Sequence, residues 1–261
     1  MDRKTKKIVT SVNKNGIAIV ENQFSKKVCK NFVNFFDDLL IKRIKKKEYV
    51  GTFDNQVLYN YFIENKKTLI FVYHNLINKV MKSLIDDDYV LTTPSARNRR
   101  IFDHKYFKKK KIKSSGLGWH TDAKYVNGKK IKPNFSYMAI TVLEDTTKEN
   151  GATCFVPNSH KLDYKPIRTK KYNFKYIEAP AGSIIFFDVA TWHKAGMPTN
   201  KSRWTIFNLY NPWFVKPYWQ FNKMLNGSNK KLHPDLKQLF HFNTTPPLNQ
   251  NEGIATKTKI K

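Results

Sequence analysis

Ile184-Ile185-Phe186-Phe187-Asp188-Val189-Ala190-Thr191-Trp192-His193 is an apolar run that opens after the turn-forming Pro180-Ala181-Gly182 and ends on a histidine. Its length and its Ile, Phe and Val content read as a buried strand. Upstream, Gly118-Trp119-His120-Thr121-Asp122 is short enough to be extended, so alternation sends His120 and Asp122 to one face and Thr121 to the other. Downstream, Gly196-Met197-Pro198-Thr199-Asn200 has turn chemistry, and Ser202-Arg203-Trp204-Thr205-Ile206-Phe207-Asn208-Leu209-Tyr210 resumes a strand-like pattern. Arg203 and Thr205 are therefore expected on one face of a strand that hairpins with the strand carrying His193.

The chemistry follows from the residue types. Two imidazoles and one carboxylate on one face of an octahedron leave the other positions open, the donor set of non-haem Fe(II) oxygenases, where oxygen and a chelating co-substrate can bind. The expected ligands are His120, Asp122 and His193. The Arg203 guanidinium with the Thr205 hydroxyl beside it suits the carboxylate of an acidic co-substrate. A His-x-Asp triplet alone is a weak signal, since short polar triplets recur by chance in surface turns. Its context decides.

That context resembles the phytanoyl-CoA dioxygenase family of Fe(II)/2-oxoglutarate oxygenases. Glu149-Asn150-Gly151 through Pro157-Asn158-Ser159-His160-Lys161 is similar to the family's N-G…P-G-S-H-K segment, with Asn158 where the family usually has Gly. Ala181-Gly182-Ser183 through Asp188, followed by Trp192-His193-Lys194-Ala195-Gly196, is similar to its strand-plus-histidine block. The likeness is strong from about Gly118 to Tyr210 and faint before that. It implies a double-stranded β-helix, a jelly-roll or cupin-like core in a mainly β protein with flanking helices. It also implies Fe(II) on His120, Asp122 and His193, O2 and 2-oxoglutarate as co-substrates, Arg203 on the distal carboxylate of 2-oxoglutarate, and hydroxylation with release of succinate. Thr205 as a helper to Arg203 comes from face alternation alone. Asp122 speaks against halogenating relatives, which vacate the carboxylate position. Leu209 stands where nucleic-acid dealkylating relatives carry a second arginine, so a small or medium-sized organic substrate is expected.

Composition widens the range of partners. With 48 Lys and Arg against 20 Asp and Glu, the net charge is +28, and a basic surface attracts nucleic acid, anionic lipid or phosphorylated substrates. Abundant Lys, Asn and Ile with scarce Arg are also what an AT-rich coding bias produces. The Lys108 to Lys113 run is a place to meet a phosphate, a coenzyme A moiety or a nucleotide, and the planar forks of Arg97, Arg99 and Arg100 are expected to contact substrate. A catalytically silent barrel that binds nucleic acid or another polyanion is the alternative function. Only Cys29 and Cys154 are present, without metal-type spacing, and both read as small core residues; a reducing cytoplasm fits. Asn13, Lys14 and Asn15 break the apolar stretch after the basic N-terminus, which argues against a signal peptide, and no stretch approaches a membrane span.

The rest of the chain reads as support. Ser25 caps a helix through Val28, Phe32, Phe35, Phe36, Leu39 and Leu40, and a second helix is expected through Leu69, Val72, Leu76, Val80 and Leu84 with His74 on its apolar face. One oxygenase domain over residues 1–243 is expected, with a strand and helices at 15–90, the β core at 97–214, a helical extension at 218–241 that has Pro234 in a first turn, and a polar tail over 244–261. His160 is expected at the mouth of the barrel, His233 at a helix start, His104 near the lysines, and Trp119 and Trp192 packed away from the metal.

Overall fold

The computed structural model describes residues 1–108, 115–225 and 232–244. The Lys108 to Lys113 run thus falls almost wholly outside the described residues, as does the tail beyond Thr244.

Two antiparallel sheets face each other. The larger consists of β1 (Ile17–Val20), β2 (Gly51–Thr52), β3 (Asn55–Tyr59), β4 (Val90–Asn98), β7 (Tyr137–Val142), β10 (Ile184–Asp188) and β12 (Trp204–Asn211), in the order β1-β10-β7-β12-β4-β3-β2. The smaller is β11 (His193–Lys194), β8 (Cys154–Phe155) and β9 (Lys175–Tyr176), in the order β11-β8-β9. A short hairpin of β5 (Tyr125–Val126) and β6 (Lys129–Lys130) lies outside both. Between the sheets pack Ile17, Ile140, Val142, Ile185 and Phe187 of the larger with Phe155 and Ile177 from the smaller side. This is the jelly-roll architecture expected from the sequence.

The outer face of the larger sheet is covered by helices: α1 (Arg3–Asn15), α2 (Lys26–Lys45), α3 (Leu69–Val72) and α4 (Asn75–Leu84). Helix α2 forms where the periodicity places it. Ser25 Oγ accepts the Val28 N–H, and Cys29, Phe36, Leu39, Leu40 and Ile44 form its buried stripe. Phe36 is fully buried and meets Tyr61 and Trp204 at ring-centroid distances of 5.6 and 5.4 Å. Further along, α5 (Lys105–Lys108), α6 (Phe221–Met224) and α7 (Pro234–Leu239) are short, the last with Pro234 in its first turn and His233 as cap.

Four expectations change. The second helix is two, because the chain leaves helical geometry at Tyr73 and His74, and His74 caps α4 by accepting the Leu76 N–H at 3.3 Å instead of lying on its apolar face. Residues 3–15, unassigned from sequence, form α1: Asp2 accepts the Thr5 N–H at 2.8 Å at one end, and Gly16 closes the other at φ 82°. The sheet begins well before residue 97, since β1, β3 and most of β4 belong to it. His160 lies behind the barrel, its Nε2 3.0 Å from the Asn13 carbonyl at the end of α1, and it lines neither cavity described below.

Candidate metal centre

The run Ile184 to His193 does not stay in one sheet. Strand β10 stops at Asp188, whose carboxylate accepts the Ala190 N–H at 2.8 Å and whose carbonyl accepts the Thr191 N–H at 2.9 Å. This turn lifts the chain to the smaller sheet, so His193 opens β11 opposite Phe155. The hairpin expected between the His193 and Arg203 strands is therefore absent: β12 pairs with β4 and β7 in the larger sheet. His193 and Arg203 face the same space from opposite walls.

His120 joins the smaller sheet through a bridge to His193, each N–H donating to the other's carbonyl at 2.9 Å. Two residues on, Asp122 N–H donates to the Val189 carbonyl at 3.0 Å. The extended segment thus lies along the β10–β11 connection and delivers both side chains to His193. Thr121 turns the other way and donates to the Val189 and Ala190 carbonyls at 3.1 Å each.

The donor atoms of His120, Asp122 and His193 all lie within 4.8 Å of one another. His193 Nε2 is 3.6 Å from an Asp122 oxygen. Each imidazole has Nδ1 2.9 Å from a carbonyl two residues back, Gly118 for His120 and Thr191 for His193. Those bonds place the proton on Nδ1 and leave the Nε2 lone pair toward the shared space, the tautomer a metal requires. Burial lowers the His193 pKa, and the neighbouring His120 pushes the same way against the opposing Asp122 carboxylate; a neutral imidazole is what ligation needs. These three groups can hold a divalent cation on one face.

The same cavity, about 220 Å³, is lined by Arg97, Arg99, Arg203, Thr205, Thr153, Ile177 and Phe207 besides the three donors. Arg203, immediately before β12, and Thr205 within it face this cavity together, as alternation requires. Arg203 is 5% exposed, and its Nε has no hydrogen-bond partner. Burial and the nearby Arg99 hold its pKa down at about 10, partly opposed by Glu144. A buried guanidinium with an unmet donor is costly unless an anion joins it. Thr205 Oγ1 donates at 3.5 Å to the Arg97 carbonyl, and no hydrogen bond of that hydroxyl to Arg203 forms among the described residues.

The three arginines expected to contact substrate do not act alike, and the structure divides them. Arg97 and Arg99 face inward, and Arg99 is anchored by the Asp54 and Gly196 carbonyls at 3.1 and 3.2 Å and by the Asp54 carboxylate at 3.6 Å. Arg100 points out, paired with Asp37 at 3.0 Å and lying over Phe102. Alternation continued past the end of β4 was the signal that could have set Arg100 apart from the other two. Trp119 and Trp192 pack away from the donors, against Tyr172 and Phe174 and against Tyr164 and Tyr172 respectively. His104 caps a turn by accepting the Tyr106 N–H at 3.1 Å.

The motif glycines fit too. A side chain at Gly151 (φ 85°) would meet the Met197 carbonyl at 2.3 Å, so the chain leaving β11 can cross there only over glycine. Asn158 sits at φ 64°, a left-handed conformation that asparagine tolerates better than most residues.

Fold and site together define a jelly-roll protein with a two-histidine, one-carboxylate candidate metal site and a buried arginine across from it. The chain belongs to the phytanoyl-CoA dioxygenase (PhyH) family, which it matches over residues 12–204. Among solved structures it is similar to HygX from Streptomyces hygroscopicus, determined with nickel and 2-oxoglutarate bound: TM-score 0.63, 13% identity, 85% of this chain and 91% of that one covered. It is also similar to the non-haem monooxygenase ThoJ (TM-score 0.62, 17% identity, coverage 82% and 80%). A third likeness is to SnoN, a non-haem α-ketoglutarate-dependent epimerase from nogalamycin biosynthesis (TM-score 0.58, 15% identity, coverage 80% and 83%). At these identities the likeness is one of fold. Among curated sequences it is 36% identical over 76 residues to the uncharacterised protein Rv1501 of Mycobacterium tuberculosis, a match covering 28% of each chain.

Proposed function

We propose that this protein is an Fe(II)- and 2-oxoglutarate-dependent dioxygenase that hydroxylates a small or medium-sized organic substrate while 2-oxoglutarate is converted to succinate and carbon dioxide. The observation that carries the reading is the pairing of two features across one cavity: three metal-type donors within 4.8 Å of one another, and a buried arginine with an unmet donor on the facing strand. Iron bound there supplies the activation of oxygen, the chemistry protein side chains cannot perform.

The chain's own residues do the rest. His120, Asp122 and His193 are the residues that would hold the metal, and as three donors they would leave positions on it for ligands. Arg203 holds the distal carboxylate of 2-oxoglutarate by charge-assisted hydrogen bonds, which sets the distance of its other end from the three donors. Phe187 packs edge-on to the His193 ring at 5.2 Å, and with Ile140 and Ile177 it keeps that corner of the cavity dry. The nearby Arg99 is held by Asp54 and raises the positive potential where the dianionic co-substrate must enter. Related folds carry out epimerisation as well as oxygenation; the complete donor set, with Asp122 in place, argues against halogenation, and hydroxylation is the outcome we propose.

The test is an anaerobic titration of Fe(II)-loaded protein with 2-oxoglutarate, following the visible charge-transfer absorption of the chelate, with Asp122→Ala as control. A saturable band in the parent that disappears in the variant is expected. Absence of a band, together with steeply salt-dependent binding of nucleic acid, would replace this reading with that of a polyanion-binding barrel.

A further inference from the structure

A second cavity of about 430 Å³ adjoins the metal-side one, and the two share Arg97, Asp122, Met138 and Phe207. Its size sits at the lower end of the roughly 300–1,000 Å³ usual for small-molecule sites. Its floor comes from β4 and β12, and there the register slips: Thr93 pairs with Leu209 but Leu91 pairs with Tyr210, leaving Thr92 unmatched. The irregularity brings Thr92 and Thr93 together to the cavity, where strict alternation would present only one of them.

The polar groups there are pre-set. Ser136 Oγ donates to Asn211 Oδ1, and Asn211 Nδ2 donates to Thr92 Oγ1 at 2.7 Å, which donates in turn to the Leu209 carbonyl at 3.2 Å. This chain fixes the amide of Asn211 and leaves its second N–H and the Ser136 oxygen for a ligand. Thr93 Oγ1 is buried with no hydrogen-bond partner, an unfavourable state that a ligand hydroxyl would relieve.

Arg97 stands at the junction. Its Nε donates to Ser95 Oγ at 3.1 Å, and its guanidinium lies 5.0 Å over the Phe207 ring, so the fork is held in place before any ligand arrives. Its strand neighbours Arg99 and Arg100 have carboxylate partners in Asp54 and Asp37; among the described residues no carboxylate lies within 4 Å of the Arg97 nitrogens. Ser95, the anchor of its Nε, lines only the larger cavity, and Arg97 itself lines both. Lys124 and Lys216 add positive charge to the lining.

We propose that this cavity seats the organic substrate and selects a compact, hydroxyl-bearing molecule with one oxyanion, a carboxylate or a phosphate. Arg97 takes the oxyanion, and Thr92, Thr93, Ser136 and Asn211 meet the hydroxyls. The assignment rests on the dioxygenase reading only for what happens to the bound molecule.

The experiment uses protein saturated with Fe(II) and 2-oxoglutarate under anaerobic conditions, titrated with D-gluconate, D-glucose 6-phosphate and neutral D-glucose. Perturbation of the chelate band and calorimetry report binding. At least one anion is expected to bind about tenfold or more tightly than glucose, and whichever does so identifies the group as carboxylate or phosphate. Arg97→Gln should remove that preference and Arg97→Lys should restore part of it, with any loss of 2-oxoglutarate affinity well below that of Arg203→Gln. Equal binding of glucose, no binding of either anion, or a loss of 2-oxoglutarate affinity in Arg97→Gln as large as that in an Arg203 variant would overturn the proposal. Calorimetry on metal-free protein repeats the ranking without iron, so a missing chelate band defeats the dioxygenase reading while the anion preference still stands or falls separately.

Discussion

The two faces of the larger sheet are built from the same strands and have opposite characters. On the helix-covered face, Leu58, Ala96, Ala139, Ile184, Phe186, Trp204, Ile206 and Tyr210 join one cluster with Phe36, Phe71, Ile77 and Val80. The polar groups that β12 sends there are met: Asn208 Nδ2 donates to the Phe71 carbonyl at 2.7 Å, Tyr61 OH to Asn208 Oδ1 at 3.0 Å, and Tyr210 OH to the Val72 carbonyl at 2.6 Å. On the cavity face, Arg97, Arg203, Thr205, Met138 and Phe207 stand around open volume, and Arg203 Nε and Thr93 Oγ1 lack partners. One face supplies the burial that holds the fold. The other leaves polar groups unmet beside open volume, a cost a ligand removes on binding, whereas the unpartnered Thr141 Oγ1 of the helix-covered face lines neither cavity. Substitutions on the two faces should therefore separate stability from ligand affinity.

Asp122→Ala should give the largest effect and test the separation most severely. The Asp122 side chain is 43% exposed, so its loss should change stability by no more than about 0.5 kcal/mol. Turnover of 2-oxoglutarate should fall by at least about 10³-fold, roughly 4 kcal/mol, and calorimetry should find metal affinity reduced by more than the ~10–100-fold that losing a ligand's outer hydrogen-bond partner costs. A variant with parental metal affinity and turnover would remove Asp122 from the donor set.

Phe36→Ala is the mirror experiment. Truncating this fully buried ring should cost about 3–5 kcal/mol of unfolding free energy in denaturant melts, while the folded fraction keeps its 2-oxoglutarate affinity within about threefold. A large affinity loss would mean that the helical face positions the cavity face, and the two could no longer be treated as independent.

Arg203→Gln crosses between the faces, since the residue is as buried as the core yet belongs to the cavity. Removing one partner of a buried, hydrogen-bonded charge pair costs about 2–5 kcal/mol, so the 2-oxoglutarate dissociation constant should rise at least about 30-fold in the chelate titration. Because Arg203 in the free protein is desolvated without a partner for Nε, the unliganded variant should be no less stable than the parent and could gain. An Arg203→Gln protein with unchanged 2-oxoglutarate affinity and a lower melting temperature would make Arg203 a structural residue.

The helical face and the cavity face were unequally legible in the sequence. Helix α2 could be read because Ser25 and a regular apolar stripe agree, and the donor set because His120 and Asp122 lie two residues apart and His193 closes a distinctive block. Both signals are local. The break at Tyr73 and His74 was hidden by apolar residues that keep helical spacing across it, and α1 by a basic composition that resembled a solvated terminus. Sheet membership was the least legible. The run from Ile184 to His193 is continuous in hydrophobicity, and only the hydrogen bonds made by Asp188 show that it changes sheets. Alternation could set Arg100 apart from Arg97 and Arg99, but which pair faces inward depends on the register of β4 against β12, because a shift of one residue exchanges the faces, and only the Asp54 partner of Arg99 separates it from Arg97.

Thr205→Val should give the smallest effect and sharpens the boundary of the cavity site. Thr205 shares the inward face of β12 with Arg203 and is 3% exposed, a placement that suits a second donor to the same carboxylate. Its hydroxyl, however, is oriented toward the Arg97 carbonyl at 3.5 Å, the outer limit of a hydrogen bond. A group held that loosely contributes at most about 1 kcal/mol, and valine preserves the shape while removing the hydroxyl. The expected rise in the 2-oxoglutarate dissociation constant is threefold or less, with Arg203 alone holding the carboxylate. A rise above tenfold would mean that Thr205 turns from Arg97 to the ligand on binding, and the cavity face would then owe its affinity to a neutral hydroxyl as well as to the guanidinium beside it.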